Sequence, residues 1–329
     1  MPVPVPGNVD VFFYEAFAEE AHSLKRLLSA EVRAGFSGLT IQECGHPRPP
    51  CPFISVRTQS RIPPGWAGRL EGILTRSTGY DHIASFLRET RSCIPAGYLP
   101  SYCSRAVAEQ ALMLWMALLR RLPMQLRQFA GFDRDGLTGA ECLGTTLLVA
   151  GVGNIGSEIC RLGGALGMEV LGADIVRRHQ GLKYVDLDEG VPMADVIVCA
   201  MNLTPENRGI MCYDLLKRAR PGAVFVNVAR GELSPLRDLR RLLDERRLGG
   251  AALDVYEDEA SLAVSLRSGR PEDDEKARIC LELSTRHNVI LTPHNAFNTR
   301  EALQRKAEQS AGQAGLFLAE KAFTWPVPA

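Results

Sequence analysis

The sequence predicts an α/β protein built on a doubly wound parallel sheet, with a smaller, discontinuous α/β domain beside it. Three observations lead there. Strand-like apolar runs alternate with segments of helical period along most of the chain. A glycine-rich turn, Gly151-Val152-Gly153-Asn154-Ile155-Gly156, joins one such run to the start of a helix. The 329 residues exceed what one core usually organises, so two domains are expected.

Taken in order, Val11–Tyr14 reads as a short buried strand, and Phe17, Ala21, Leu24 and Leu28 recur at helical spacing behind it. Phe53–Val56 and Leu70–Thr75 read as further strands, set apart by proline-rich loops at 47–52 and 63–64. Ala106–Leu119 is an apolar helix. Six strand candidates follow: Thr146–Ala150, Met168–Ala173, Val196–Ala200, Ala223–Val228, Ala251–Asp254 and Asn288–Leu291. Helical stretches at Ile155–Leu166, Tyr213–Arg218 and Leu236–Glu245 lie between them. Ser234-Pro235 reads as an N-cap followed by a first-turn proline for the last of these. Ala260–Glu282 reads as a charged, solvated excursion. The helical tail Arg300–Ala322 does not extend the sheet and is expected to return to the N-terminal third. That places one domain at 104–296 and the other at 1–103 with 297–329.

Composition narrows the function classes. Net charge is zero, so no overall field attracts nucleic acid or an anionic membrane, and a small-molecule partner is expected. No basic start and apolar stretch mark a signal peptide at Met1–Gly7. The longest apolar run, Ala106–Leu119, is interrupted by Glu109 and Gln110 and is too short to span a bilayer. The nine cysteines are scattered, without a CxxC pair or a zinc-like cluster. That pattern predicts reduced thiols, a cytoplasmic protein and no bound metal. Cys103, beside Tyr102, is the candidate for a redox-sensing thiol. Met113, Trp115 and Met116 on the apolar helix predict either intramolecular core or a homodimer face.

The glycine turn carries the clearest chemistry. Gly151 permits the turn, Gly153 lets backbone approach a pyrophosphate, and Gly156 lets the helix pack close to the strand. The helix start at Asn154-Ile155 offers unbonded N–H groups and a positive dipole end to phosphates. A second strand ends in Asp174, at the distance expected for a carboxylate that binds a ribose and repels a 2′-phosphate. A dinucleotide is therefore the expected ligand, as NAD rather than NADP.

Open α/β sheets gather their ligands at carboxyl strand ends, and three reactive side chains fall there. Arg230 follows Ala223–Val228 and offers a fork for a carboxylate. His294 follows Asn288–Leu291 through Thr292-Pro293 and supplies a proton donor suited to neutral pH. Of the six histidines it alone ends a buried strand. His22, His46, His179 and His287 read as surface or loop residues, and His82 as a packing residue. Glu259, five residues beyond Asp254, reads either as a partner that orients an imidazole or as part of a solvated acidic turn with Glu257 and Asp258.

Together, Leu148–Gly156, Asn227-Val228-Ala229-Arg230-Gly231, Asp254-Val255-Tyr256-Glu257-Asp258-Glu259 and Thr292-Pro293-His294-Asn295-Ala296 resemble the D-isomer-specific 2-hydroxyacid dehydrogenase family over nearly the whole chain. The resemblance implies a Rossmann-type NAD domain and a substrate domain, with Arg230, Glu259 and His294 as the catalytic trio. It implies that Met201, Asn202, Asn207, Val228 and Ala229 line the cofactor and that Asp254 meets the nicotinamide carboxamide. Arg76-Ser77-Thr78-Gly79-Tyr80-Asp81 resembles the loop whose Thr78 and Gly79 amides grip a substrate carboxylate. Leu99-Pro100-Ser101-Tyr102 resembles the D-lactate dehydrogenase segment that brings a tyrosine, here Tyr102, to the substrate. The opening Val11-Phe12-Phe13-Tyr14-Glu15 and the long insertion between Glu259 and His294 also resemble that branch. Met201-Asn202 and Asn295 depart from common family residues, which touches substrate and cofactor preference. The expected reaction is reversible reduction of a short 2-keto acid, pyruvate first, by NADH. The alternatives are an NAD-binding corepressor-like protein and a phosphite- or formate-type dehydrogenase.

Overall fold

The computed structural model describes residues 7–269 and 274–328. Its contacts divide the chain into two compact units: Met1–Cys103 with Asn298–Ala329, and Ser104–Phe297.

The first unit is built on a parallel sheet of five short strands among the described residues. These are β1 (Val11–Phe13), β2 (Ala34–Phe36), β3 (Phe53–Val56), β4 (Gly72–Thr75) and β5 (Ala96–Gly97), in the order β2-β1-β3-β4-β5. β2 and β5 span three and two residues, too short for any period to mark them in the sequence. The expected strand at Leu70 begins only at Gly72, because Pro64–Arg69 winds into a 3₁₀ turn. Phe12, Ile54, Val56, Ile73 and Phe86 pack one core. On the other side, Phe53 meets Phe317 of the helix Arg300–Glu320 at 4.4 Å between ring centres, so the tail belongs to this unit. His46, expected at the surface, is buried at 8% exposure and bonds the Tyr14 hydroxyl at 2.7 Å. The Phe12 and Tyr14 rings enclose it.

A charged cluster sits inside this unit, and no sequence pattern announced it. Arg76 is fully buried; its guanidinium donates to Glu20 at 2.8 Å, to the Ser55 hydroxyl at 3.0 Å and to the Tyr14 carbonyl at 2.7 Å. Lys306, also fully buried, reaches the same Glu20 oxygen at 2.8 Å. Burial alone would raise the Glu20 carboxyl, but the Arg76, Lys306 and Arg57 charges hold it down at about 2. Lys306 is drawn down to about 7, first by burial and then by the Arg57 charge.

The second unit carries a seven-stranded parallel sheet: β6 (Thr146–Ala150), β7 (Glu169–Ala173), β8 (Lys183–Tyr184), β9 (Val196–Cys199), β10 (Val224–Asn227), β11 (Gly250–Leu253) and β12 (Val289–Leu291). The order β12-β11-β10-β9-β6-β7-β8 reverses between β6 and β9, where an open sheet leaves a crevice. β8 is the strand beyond the six expected. Every strand is flanked by helices, and Leu148, Ile197, Phe225, Ala251 and Leu239 form a continuous core.

Two local readings are corrected. Ser234 does not cap the following helix: Pro235 takes the cap position and Leu236 begins the helix. Its first N–H is met by Glu257 from another strand end at 2.8 Å, while the Ser234 hydroxyl accepts from Asn227 at 2.7 Å. The 260–282 span is largely helical, Glu259–Ser268 and Glu275–Ser284, and the second helix buries Ala277, Ile279, Cys280 and Leu283. The centre of the charged run, 270–273, lies outside the described residues, as does 1–6 of the N-terminal segment.

The Lys306 value yields a prediction with a definite sign. Its folded pKa of about 7 lies below the ordinary 10.5, so between them the unfolded chain binds more protons and stability rises with pH. Urea midpoints should carry a rising component from about pH 7 to about pH 10 that Lys306→Met removes. Identical slopes in both proteins would refute this assignment.

Candidate active site

The glycine turn is shaped by contacts that exclude side chains. Gly151 has φ +89°, and a Cβ there would stand 2.6 Å from the backbone of Met201, which follows β9 across the sheet reversal. A Cβ on Gly156 would overlap the Gly151 carbonyl at 1.9 Å. Gly153 faces open space, and the helix Asn154–Ala165 starts behind it without a side-chain cap. The positive end of its dipole is thus the end that a pyrophosphate would meet. Asp174 stands at the end of β7 and accepts from the Val152 N–H at 2.6 Å and the Val176 N–H at 2.9 Å. His179 reaches back to the Val152 carbonyl at 3.1 Å, bracing the turn from a loop position. Ile175 beside Asp174 is fully exposed, an apolar surface suited to a flat ring. The donor set and the open cradle fit a bound dinucleotide.

Beyond β9, Asn207 staples its own loop, donating to the Asn202 carbonyl at 2.8 Å and accepting from the Thr204 N–H at 2.8 Å. Beyond β10, buried Asn227 organises the turn that carries Arg230. It accepts from the Ala229 N–H at 2.9 Å and donates to the Arg230 carbonyl at 2.9 Å. Val228 and Ala229 lie buried in this turn. Gly231 admits the Tyr256 backbone so closely that a Cβ would lie 1.8 Å from it. The Arg230 Nη1 donates to the Ala229 carbonyl at 2.8 Å, curling the guanidinium over its own turn.

The ends of β11 and β12 are joined by a buried carboxylate. Asp254, 1% exposed, accepts from the Thr292 hydroxyl at 2.5 Å and from the Asn295 and Ala296 N–H groups at 2.9 Å each. Burial pushes its carboxyl above the usual range, and these bonds pull the other way. The sequence reading assigned Asp254 only to a cofactor; its oxygens also hold the loop that presents His294. Tyr256 adds a second tie by donating to the Thr292 carbonyl at 2.8 Å. His294 itself adopts φ +50°, a left-handed backbone that the two ties enforce.

Glu259, the first residue of its helix, bonds the His294 Nδ1 with both oxygens, at 2.7 and 2.8 Å. The solvated-turn alternative is thereby excluded for Glu259. The carboxylate holds a proton on Nδ1 and leaves Nε2 as the ring's exchanging position. No described hydrogen bond engages Nε2. Arg230, Glu259 and His294 thus all stand beyond carboxyl ends of neighbouring strands, β10, β11 and β12.

In the first unit, the loop after β4 has its side chains turned inward. The Thr78 hydroxyl donates to the Leu99 carbonyl at 3.0 Å, and the Ser77 hydroxyl to the Gly79 carbonyl at 2.7 Å. Among the described residues, nothing accepts from the Thr78 and Gly79 backbone N–H groups, as an anion cradle needs. Tyr102 is buried at 4% exposure, and that burial holds its phenol protonated well above neutral pH. Cys103 is buried as well, and burial raises its thiol, which removes it as a reactive redox sensor. Trp115 is core, whereas Met113 and Met116 are exposed.

Residues 112–296 match the sequence model of a family described as D-isomer specific 2-hydroxyacid dehydrogenase, NAD binding domain. The chain is 34% identical over 216 residues to a 2-hydroxyacid dehydrogenase homolog of Haemophilus influenzae, covering 64% of each protein. It thus spans a little under two thirds of that relative. It is 33% identical over 250 residues to a D-lactate dehydrogenase of Curvularia clavata, covering 74% of this chain and 70% of the relative. Among solved structures it resembles D-lactate dehydrogenase from Aquifex aeolicus, complexed with NAD and lactic acid. That likeness has a TM-score of 0.81 and 26% identity, over 97% of this chain and 100% of the other. With its glycine cradle, Asp174 and strand-end residues in the matched segment, the chain belongs to the D-isomer-specific 2-hydroxyacid dehydrogenase family, and its seven-stranded unit is the NAD-binding domain.

Proposed function

We propose that the protein is an NAD-dependent D-2-hydroxyacid dehydrogenase that interconverts a short 2-keto acid and its D-2-hydroxy acid, pyruvate and D-lactate being the first pair to test. The observation that carries this reading is the two-oxygen contact of Glu259 on His294 Nδ1, at 2.7 and 2.8 Å. An imidazole so held has a defined tautomer and one nitrogen left to move a proton.

When bound, the nicotinamide supplies or accepts the hydride at the substrate's C2. The chain's own groups do the rest. Gly151, Gly153, Asn154, Ile155 and Gly156 receive the pyrophosphate, and Asp174 meets the ribose while disfavouring a 2′-phosphate. In the second unit the Arg230 guanidinium binds a carboxylate and polarises the neighbouring carbonyl; within the first unit the Thr78 and Gly79 amides offer an anion cradle. His294 Nε2 delivers a proton to the forming alkoxide, and Glu259 balances the imidazolium charge. Asp254 and Tyr256 are positioning residues for the histidine. Tyr102 closes the substrate's side of the first unit.

Among the described residues no helix is long and apolar enough to cross a membrane; the cytoplasmic reading rests on the scattered, unpaired cysteines. A run of apolar side chains on the second unit stays exposed: Met113, Leu126, Phe129, Phe132 and Leu143, the last four at 70–75%. We propose that a second copy of the chain covers these side chains.

Three outcomes test this reading. With NADH oxidation followed by absorbance over a panel of 2-keto acids, His294→Ala should lower kcat by ~10²–10⁴-fold while NADH affinity is kept. Near-normal turnover in that variant would remove His294 as the proton donor. Asp254→Asn should cut kcat roughly 10–100-fold with the secondary structure intact, because a loop displaced by about 1 Å misaims the imidazole. Light scattering should report twice the chain mass, and a Leu126→Asp, Phe129→Asp double variant should run as a monomer.

A further inference from the structure

The loop that carries the Thr78–Gly79 cradle is braced by a relay of side-chain hydrogen bonds. Ser77 Oγ donates to the Gly79 carbonyl at 2.7 Å and lies 2.7 Å from Thr75 Oγ1. Thr75 Oγ1 in turn lies 3.0 Å from His82 Nε2. Thr75, the last residue of β4, is fully buried, and Ser77 is buried as well. His82 is the second residue of the helix Asp81–Thr90, whose Ile83 and Phe86 are seated in the core. The relay therefore ties the loop to two rigid elements at once, the strand that enters it and the helix that follows it.

The protons of this relay all point one way. A carbonyl only accepts, so the single Ser77 hydroxyl proton is spent on Gly79. Ser77 Oγ then accepts from Thr75, which uses the Thr75 proton. Thr75 Oγ1 is left to accept from the ring, so His82 carries a proton on Nε2 and heads the relay. Each link polarises the next, which stiffens a satisfied network in a buried place. Gly79, where the relay ends, has no Cβ to limit its backbone, so fixing its carbonyl removes freedom that would blur the cradle. Beside it, the Thr78 hydroxyl donates to the Leu99 carbonyl at 3.0 Å, and the Leu99 N–H donates to the Ser77 carbonyl at 3.1 Å. The hydroxyls of residues 75, 77 and 78 and the carbonyls of 77 and 79 are thus spent inside the unit. Among the described residues, nothing accepts from the Thr78 and Gly79 N–H groups.

Building on the dehydrogenase reading, we propose that His82 is a positioning residue for the substrate. Through Thr75 and Ser77 it holds the Thr78–Gly79 amides in the geometry that takes an anion, here the carboxylate of the 2-keto acid. The sequence reading gave His82 only a packing role; its Nε2 proton instead sets affinity for the acid without touching it. Loss of that proton loosens the loop, and so acts on the substrate KM rather than on NADH affinity.

The test follows NADH oxidation over a panel of 2-keto acids and takes the acid that the unmodified protein reduces best. His82→Phe removes the head donor, and Thr75→Val removes the middle hydroxyl. Each should raise KM for the acid roughly 5- to 30-fold, the equilibrium value of one buried hydrogen bond left unmade, with kcat and NADH affinity little changed. His82→Gln, whose amide nitrogen reaches the Nε2 position, should restore most of the unmodified KM, whereas the shorter His82→Asn should not. The double variant His82→Phe, Thr75→Val should be no worse than either single one, because both break the same relay. Unchanged KM in the single variants, equal losses in the Gln and Asn variants, or additive losses in the double variant would overturn the proposal. So would a loss confined to kcat or shared by NADH affinity. If His82→Phe fails to fold, His82→Gln against His82→Asn makes the same comparison with two polar side chains. In all of these results the unmodified protein reduces a 2-keto acid, so the dehydrogenase reading stands. NADH binding without reduction of any acid in the panel would instead strike that reading itself, and this proposal with it.

Discussion

One buried carboxylate holds the chemistry together. Asp254 sits at the end of β11 with 1% exposure, and its two oxygens take three donors from the segment after β12. A carboxylate in such a place is costly unless its lone pairs are used, and here they are used to pin one loop to one strand end. That pinning sets the backbone of His294 in a left-handed conformation, from which the ring meets Glu259 squarely. Without it, β11 and β12 would still pair, but the imidazole would have no fixed direction.

The turn after β10 obeys the same logic with neutral groups. Asn227 gives its amide nitrogen to Arg230 and Ser234 and its oxygen to Ala229, so a four-residue turn closes on a single side chain. Glu257 then caps the following helix from the next strand end, and Gly231 allows the two turns to touch. Adjacent loops at the carboxyl edge are thus cross-braced, which is how an irregular edge becomes rigid enough to aim a guanidinium and an imidazole.

The first unit solves a different problem, that of ionic groups in a small core. Glu20, Arg76 and Lys306 are packed between two helices and the sheet, and their mutual attraction offsets much of the desolvation they suffer. Arg76 uses every branch of its fork to join β1, β3 and the helix Ala18–Leu27, immediately before the loop whose amides face an anion. Arg76 and Lys306 both reach one oxygen of Glu20, so a single buried carboxylate anchors two basic side chains from different elements.

The sequence by itself determined the large sheet, the glycine cradle and the strand-end positions of Arg230, Glu259 and His294, because apolar period, glycine spacing and strand-terminal placement are local signals. It could not determine β2, β5 or β8, which exist only because a neighbouring strand bonds two or three residues. Nor could it decide whether Glu259 was a solvated acid or the partner of His294, since those residues lie 35 positions apart. The burial of His46, the cap that Glu257 rather than Ser234 provides, the helices within 260–282 and the Glu20–Arg76–Lys306 cluster were settled by tertiary structure alone. Each depends on which distant group supplies a bond or a charge, and chain order carries no record of that distance.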